Sequence, residues 1–389
     1  MLAVARALAA RGHQVTFSSG AQHIEDAARE GLRFVEMPVI VGSTHERLRP
    51  YEDSEDMARA FTPIIDAEQP DVVVADLLTL GPALAAEARR IPLATLLIHP
   101  LHSPSKDLPP FGWGRAPARG LLRRRDSWLR ASNVKTLQRA RDDLNRVRAN
   151  LGLAPTTRLD AQISDQLALV ATLPSLELPR SDWPPYAHVI GPCLYDAGGA
   201  TPDLPPGDGP LVLIAASTAH EQRPLIDASV DAVARLGTRA LLTVGKSDAP
   251  SSLPSSIVAT GFVSHDAVLS ACDAVVCNGG HGIVARALTH AVPVVVVPGH
   301  GDQQENGYRV ARSGAGVVVK RRKLATLRRA LQEVLSSPRY KAAADRIARE
   351  AAALDGPARA AELVEALVSR AGSGGRATPS VDVSEGTNL

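Results

Sequence analysis

The stretch from Ala274 to Lys320 constrains the possible folds of this chain more than any other. Its apolar run at 274–277 stops at the glycine-rich sequence NGGHG (278–282), and a helical pattern resumes at Ile283. The next apolar run, 293–297, is typical of a strand buried on both faces of a parallel sheet. This order predicts a βαβα unit whose first turn presents glycine backbone and a helix N-terminus to an anion.

The same alternation of strands and helices runs through the rest of the chain, which at 389 residues is long enough for two domains. The clearest linker is CLYDAGGATPDLPPGDGP (193–210), because it is rich in Gly, Pro and Asp and has no periodicity. The last residues cannot bury enough apolar surface to become ordered. The predicted segments are a first domain 1–195, a linker 196–209, a second domain 210–355, a C-terminal helix 356–372 and a disordered tail 373–389.

Two features of the first half indicate a binding function. Asp76 follows an apolar strand predicted at 71–75, and α/β folds place functional groups at the carboxyl ends of their strands. Residues 99–125 are too irregular for a core element, and a loop this long is usually a binding loop or a disordered one. Phe111 and Trp113 lie in this loop, where flat apolar side chains suit a flat apolar ligand, although pinning of the loop is an equal alternative.

Composition argues against several classes of protein. The net charge is +2 and is spread along the chain, so nucleic acid is not an expected partner. The 3 cysteines lack C-x-x-C spacing, which argues against a disulfide framework or a structural zinc site and favours a reducing, cytoplasmic setting. No apolar run approaches the length of a membrane span, so we expect no stable membrane insertion. We interpret MLAVARALAARG (1–12) as an amphipathic helix of the fold rather than a signal peptide.

The sequence NGGHGIVARALTHAVPVVVVPGHGDQQENGYRVARSGAGV (278–317) resembles the nucleotide-sugar signature of family 1 glycosyltransferases, notably bacterial enzymes that glycosylate macrolides, aromatic polyketides and similar natural products. The family reads roughly HGGxGTxxEAL, then GVP, then PxxxDQxxNA. The resemblance also covers FVSH (262–265), PDVVVADLLTLGPALAAEA (70–88) and PPFGWG (109–114), and extends over nearly the whole chain. It implies an α/β GT-B fold, in which two Rossmann-like doubly wound domains face a central cleft.

The resemblance also implies roles for individual residues. Phe262 would stack on the nucleotide base, the glycines would present backbone to the diphosphate, and Asp302-Gln303 would hydrogen-bond the sugar hydroxyls, with a helix N-cap as their alternative role. Asp76 matches the catalytic carboxylate that orients the family's base. The implied donor-binding residues are Ser217, Thr218, Phe262, Val263, Asn278, Gly279, Gly280, His281, Gly282, Asp302 and Gln303, and the implied acceptor-binding residues are His99, Phe111 and Trp113.

The chain departs from the family pattern at three donor positions. Asn278 replaces a His that reaches the diphosphate, and Ile283 replaces a Thr or Ser. Arg286 replaces a Glu that accepts from the ribose; we expect it to face solvent, with a swing to the phosphate as the alternative. The neighbouring His281 could partly replace the missing His. The resemblance begins just downstream of the Gly-His turn that supplies the family's base, so we expect the first strand to be missing and the start codon to be assigned too late.

These observations favour an inverting glycosyltransferase that moves a sugar from a UDP- or dTDP-sugar to a hydroxyl of a small hydrophobic natural product. The nucleotide sugar would be a co-substrate, and no metal or other cofactor is expected. The altered donor positions and the missing base leave a second hypothesis open, a catalytically impaired relative that binds a nucleotide or a partner protein as an auxiliary subunit. A sugar-nucleotide epimerase of the same fold is a third, although the aromatic loop argues against it. The sequence indicates no oligomeric state.

Overall fold

The computed structural model of the chain describes residues 1–37, 53–118, 120, 123–196, 198, 202–215, 223–244, 249–261, 263–299 and 301–374. Three of the predicted donor-binding residues, Ser217, Thr218 and Phe262, lie outside these ranges. The described strands all pair in parallel, which confirms the predicted α/β class. They form two sheets in the first half of the chain and one in the second.

The first half alternates helices and strands around parallel sheets. Its helices are α1 Leu2–Ala10, α2 Ile24–Arg29, α3 Ser54–Glu68, α4 Leu80–Ala88 and α5 Arg123–Asn150. Its strands are β1 Thr16–Ser19, β2 Arg33–Glu36, β3 Val73–Asp76, β4 Leu93–Leu97, β5 Leu167–Val170 and β6 Ala187–Val189. Strands β3 to β6 form one sheet in sequence order. Among the described strands, β1 and β2 pair only with each other.

The second half forms a single six-stranded sheet in the order β12-β11-β10-β7-β8-β9. Its strands are β7 Leu211–Ala215, β8 Arg239–Thr243, β9 Ile257–Thr260, β10 Ala274–Cys277, β11 Val294–Val296 and β12 Gly316–Val318. Its helices are α6 Arg223–Leu236, α7 His265–Leu269, α8 His281–Thr289, α9 Gln303–Ser313, α10 Leu327–Ser336 and α11 Pro338–Ala352. Every residue of β10 and β11 is buried, as the unbroken apolar runs predict for central strands covered on both faces.

Two segments cross between the halves and fix how they pack. The last helix, α12 Gly356–Gly374, returns to the first half, where Val364 and Leu367 join a core cluster with residues of β4 and β5. In the other direction, Leu173 and Leu176, which follow β5, pack into the core of the second half. These two segments pack the halves against each other. The candidate site lies between the carboxyl edges of the two large sheets.

Candidate active site

The glycine-rich turn follows β10 and leads directly into α8. Gly279 has a φ of +88°, and a Cβ there would lie 2.6 Å from Val296 Cγ1 and 3.0 Å from the Gln303 carbonyl oxygen, so only glycine fits. At Gly282, by contrast, an added Cβ would meet nothing within 4 Å. The first N–H groups of α8 have no acceptor within the helix, so the turn presents backbone donors and the positive end of a helix dipole to open space.

A buried amide joins this turn to the predicted sugar-binding pair. Asn306 on α9 is fully buried, and its Nδ2 donates to the Gly279 carbonyl at 3.0 Å and to Asp302 Oδ2 at 2.8 Å. Asp302 directly precedes α9, yet its side chain makes no capping hydrogen bond. Gln303 Oε1 accepts from the Gly299 N–H at 2.8 Å. Sequence reasoning gave Asn306 no role, although its spacing of four residues from Asp302 is the signal that could have found it.

The two polar residues of the turn itself are buried and partnered. Asn278 Oδ1 accepts from the Gly280 N–H at 3.4 Å. His281 Nε2 lies 2.8 Å from Thr172 Oγ1, which comes from the segment after β5. Burial, reinforced by the charges of His99 and Arg309, lowers the pKa of His281 to about 3, so its imidazole is neutral near pH 7. His281 therefore brings no positive charge to the turn in place of the family's His.

Arg286 does not face solvent, and this expectation from the sequence is wrong. Its side chain is 15% exposed, pairs with Asp266 on α7 and donates to the Tyr195 carbonyl. His290 also hydrogen-bonds Asp266, at 3.0 Å between Nε2 and Oδ1, and together His290 and Arg286 lower the pKa of Asp266 to about 2. The guanidinium therefore connects α8 to α7 and to the segment before the linker. Its hydrogen bonds are made there and not at the glycine turn.

On the opposite side, the carboxyl edge of the first-half sheet carries Asp76 and His99. Asp76 ends β3 and accepts from the Leu78 N–H at 2.7 Å, while His99 follows the neighbouring strand β4. Burial raises the pKa of Asp76, and the Leu78 N–H and the charge of His99 oppose this rise. His99 Nδ1 lies 2.8 Å from the Pro100 carbonyl, which can only accept, so Nδ1 donates this hydrogen bond.

The loop after β4 brings Phe111 beside His99, with 5.2 Å between the ring centroids. Trp113 instead packs on Arg115, whose guanidinium carbon lies 5.3 Å from the ring centroid. Two exposed apolar residues that the sequence did not single out, Leu78 (45% exposed) and Ile98 (48%), occupy the same sheet edge. Their signal in the sequence is an apolar residue placed just past the end of a buried strand.

The first-half loop contacts the start of α9 in the second half. The Gly114 N–H donates to Glu305 Oε2 at 3.2 Å, and a Cβ at Gly112 would lie 3.3 Å from the Gly301 carbonyl oxygen. The predicted acceptor loop and the helix that begins with Asp302-Gln303 therefore lie against each other. Val263 is 9% exposed, so its side chain is packed within protein.

In the described part of the chain, no group of three His, Cys, Asp or Glu side chains is placed to hold a metal ion. Nor does any described helix combine the length and apolar character needed to cross a bilayer.

Comparison with known proteins identifies the family. Residues 227–368 match the erythromycin biosynthesis protein CIII-like C-terminal domain, and residues 1–150 match the glycosyl transferase 4-like domain. The chain is 30% identical over 413 residues to 4'-demethylrebeccamycin synthase of Lentzea aerocolonigenes, an alignment that covers 95% of this chain and 96% of that protein. This chain belongs to the GT-B glycosyltransferases of bacterial natural-product type. It is an enzyme that transfers a sugar to an acceptor, as the resemblance predicted.

Solved structures of this glycosyltransferase family share the fold. The glycosyltransferase of kitacinnamycin superposes with a TM-score of 0.77 at 22% identity, covering 94% of this chain and 95% of its own. The glycosyltransferase VinC, solved in complex with dTDP, gives a TM-score of 0.69 at 23% identity and covers 95% of this chain and 96% of its own. These similarities confirm the predicted GT-B fold.

Proposed function

We propose that this glycosyltransferase moves a sugar from a UDP- or dTDP-sugar to a hydroxyl of a small hydrophobic natural product, with inversion at the anomeric carbon. The observation that carries the proposal is the buried amide of Asn306, which hydrogen-bonds both the glycine turn and Asp302 beside the loop proposed for the acceptor. This contact supports a diphosphate site at the turn beside a polyol site at Asp302. The dTDP bound by the structural relative VinC supports a nucleotide donor of this class.

The donor half of the proposal rests on backbone donors. The diphosphate would lie at the N-terminus of α8, where N–H groups and the helix dipole stabilise the charge that develops on the leaving group. The Asp302 carboxylate and the Gln303 amide would bind the hydroxyls of the transferred sugar, because they offer acceptors and donors to a polyol. No cofactor beyond the nucleotide sugar enters the proposed reaction.

The acceptor half rests on the opposite sheet edge. Leu78, Ile98 and Phe111 form an apolar surface for the acceptor, and Asp76 and His99 lie at the same edge. The acceptor oxygen would attack the anomeric carbon from the side opposite the diphosphate. A new carbon–oxygen bond forms as the bond to the diphosphate breaks, the bonding electrons leave with the diphosphate, and the hydroxyl proton is taken up on the Asp76 and His99 side.

The cellular setting of the reaction is also a proposal. All three cysteines, Cys193, Cys272 and Cys277, are free thiols in the structure. Free thiols are typical of reducing compartments, which supports a cytoplasmic enzyme.

The test is a turnover assay by mass spectrometry, with UDP- and dTDP-sugars and a panel of hydroxylated polyketides and macrolides. We expect a product one sugar heavier than the acceptor, with an anomeric configuration, measured by NMR, opposite to that of the donor. Asp302→Ala should abolish transfer, whereas Asp345→Ala, in an exposed ion pair with Lys341 on α11, should not. Retention of configuration would contradict inversion. Nucleotide binding without transfer would favour the auxiliary role.

A further inference from the structure

Arg309 on α9 is a charged residue with 2% exposure at the contact between the two halves. Its Nε donates to Glu305 Oε1 at 2.9 Å, and its guanidinium also donates to Glu177 Oε2 at 3.0 Å and to the Leu176 carbonyl at 2.8 Å. Glu305 belongs to the same helix, whereas Glu177 belongs to the segment after β5. One guanidinium therefore holds two carboxylates from different halves of the chain, of which Glu305 is buried and the Glu177 side chain is 10% exposed.

Both carboxylates extend to the loop that carries the acceptor-side residues. Glu177 Oε1 accepts from the Leu101 N–H at 2.6 Å, near the start of the loop, and Glu305 Oε2 accepts from the Gly114 N–H at 3.2 Å, further along it. The Phe111 ring, between these two points, lies 6.0 Å from the Arg309 guanidinium carbon. Two backbone positions of the loop are thus held by one network of ion pairs and hydrogen bonds, which is centred on Arg309 of α9.

We propose that Arg309 and Glu305 are positioning residues, which hold the 99–118 loop in the shape that aligns the acceptor with the sugar bound at Asp302-Gln303. This inference rests on the proposed function, because it assigns the loop to the acceptor and α9 to the donor sugar. The residues touch neither substrate. They act through the backbone of the loop, so their loss should change how the acceptor binds while leaving the nucleotide site intact.

The hydrogen bonds of Arg309, Glu305 and Glu177 are suited to holding the loop because each is charge-assisted and largely removed from water. Such hydrogen bonds are strong and directional. Glu305 lies in the first turn of the helix that Asp302 precedes, so the position of the donor-sugar residues and the position of Gly114 are set by one rigid element. A lysine at 309 would keep the charge but lose the planar fork that reaches Glu305, Glu177 and the Leu176 carbonyl together.

The first test is steady-state kinetics with the full chain. Glu305→Gln and Arg309→Lys should raise the acceptor KM about tenfold while the KM for the nucleotide sugar stays within about twofold. The matched control is Arg312→Lys, an exposed arginine on the same helix, which should leave both values unchanged. Equal rises in both KM values, or no rise in the acceptor KM of either variant, would overturn the proposal.

A second pair of variants changes the loop side of the contact and leaves Arg309, Glu305 and Glu177 unchanged. A Cβ at Gly114 would lie 2.3 Å from the Gln304 carbonyl oxygen, whereas one at Gly120 would meet nothing within 4 Å, and both glycines have positive φ. Gly114→Ala should therefore reproduce the acceptor KM effect of Glu305→Gln, and Gly120→Ala should not. If Gly114→Ala and Gly120→Ala behave alike, the contact with α9 does not position the acceptor.

Amide hydrogen exchange separates this inference from the proposed function, because it needs no turnover. In the absence of substrate, Glu305→Gln should accelerate exchange at 101–114 relative to Arg312→Lys, while exchange across 279–289 stays unchanged. Faster loop exchange in a chain that transfers no sugar would leave the positioning contact established and refute the glycosyl transfer. Unchanged loop exchange in an active enzyme would refute the positioning role alone.

Discussion

His281 Nε2 and Thr172 Oγ1 lie 2.8 Å apart, and this hydrogen bond joins the first turn of α8 to the chain that follows β5. Thr172 is fully buried and His281 is 6% exposed, so neither partner can exchange the bond for water. The glycine-rich turn of the second half is therefore attached directly to the first half, and both the stability and the pH response of the enzyme should depend on this bond.

Thr172→Val keeps the size of the side chain and removes the partner of His281 Nε2. Leaving this buried nitrogen unpaired should lower the free energy of unfolding by about 1–3 kcal/mol, measured by urea denaturation. The matched control is Thr136→Val on α5, whose hydroxyl is exposed and bonds only to the Ser132 carbonyl at 3.4 Å. Equal stability of the two variants would contradict a structural role for the contact.

The low pKa of His281 predicts loss of stability in mild acid. In the fold the imidazole protonates only near pH 3, whereas in the unfolded chain it protonates near 6.5. As the pH falls from 6.5 toward 3, the unfolded state binds a proton that the folded state does not, so stability decreases. Between pH 7 and pH 5 the loss from this residue should be about 2 kcal/mol.

Urea denaturation at both pH values measures this effect. His281→Gln should show a smaller loss of stability than the wild-type enzyme between pH 7 and pH 5, whatever its stability at pH 7. If His281→Gln loses as much stability between pH 7 and pH 5 as the wild-type enzyme, another titrating group is responsible for the loss.

Much of the second half follows from local sequence patterns. The runs at 274–277 and 293–297 are apolar at every position, and that pattern has one common explanation in an α/β chain, a strand covered on both faces; β10 and β11 confirm it. Asp76 was predicted at the end of a strand by the same reasoning, and it ends β3. Patterns of this kind are local, so they can be interpreted without knowledge of the tertiary structure.

The roles of the arginines could not be predicted in this way. Arg286 contacts the Tyr195 carbonyl, 91 positions earlier in the chain, and Arg309 contacts Glu177, 132 positions earlier. The spacing of Glu305 and Arg309 is that of an ordinary surface pair on a helix. Only the packing of the segment after β5 onto α9 buries the pair, and that packing depends on both halves at once.

Gly279 and Gly282 should respond differently to alanine. Gly279→Ala should lower the free energy of unfolding by about 1–3 kcal/mol, because φ is positive there and the new Cβ would collide with Val296. Gly282→Ala should keep or slightly raise stability, since an alanine is favoured in a helix by about 0.5–1 kcal/mol. It should nevertheless weaken binding of UDP or dTDP, measured by calorimetry, if the diphosphate approaches the open face of the turn.

The matched control for Gly282 is Gly372→Ala on α12, which also has nothing within 4 Å of an added Cβ. It should show a similar small effect on stability and no effect on nucleotide affinity. Unchanged nucleotide affinity in Gly282→Ala would place the diphosphate elsewhere.

Arg286→Glu tests whether restoring the family's carboxylate restores ribose recognition. The structure predicts that it does not, because the new carboxylate would face Asp266 and remove its main arginine partner. We expect a loss of about 2–4 kcal/mol in the free energy of unfolding and no gain in UDP or dTDP affinity. Arg235→Glu, at an exposed arginine that pairs with Asp231, should cost less than about 1 kcal/mol. A tighter nucleotide complex in Arg286→Glu would refute this assignment.

Leu78 and Ile98 should determine acceptor affinity without contributing to stability. Each is nearly half exposed at the sheet edge that carries Asp76 and His99, so a charge is tolerated by the fold but removes apolar surface from the acceptor. Leu78→Asp and Ile98→Asp should each raise the acceptor KM about tenfold, the equivalent of losing contact with one apolar side chain. The KM for the nucleotide sugar and the thermal midpoint should stay at wild-type values. Ile24→Asp, at a 53% exposed isoleucine on α2, is the control that should change none of the three. An acceptor KM that rises equally in all three variants would point to a general effect of added charge rather than to an apolar acceptor surface.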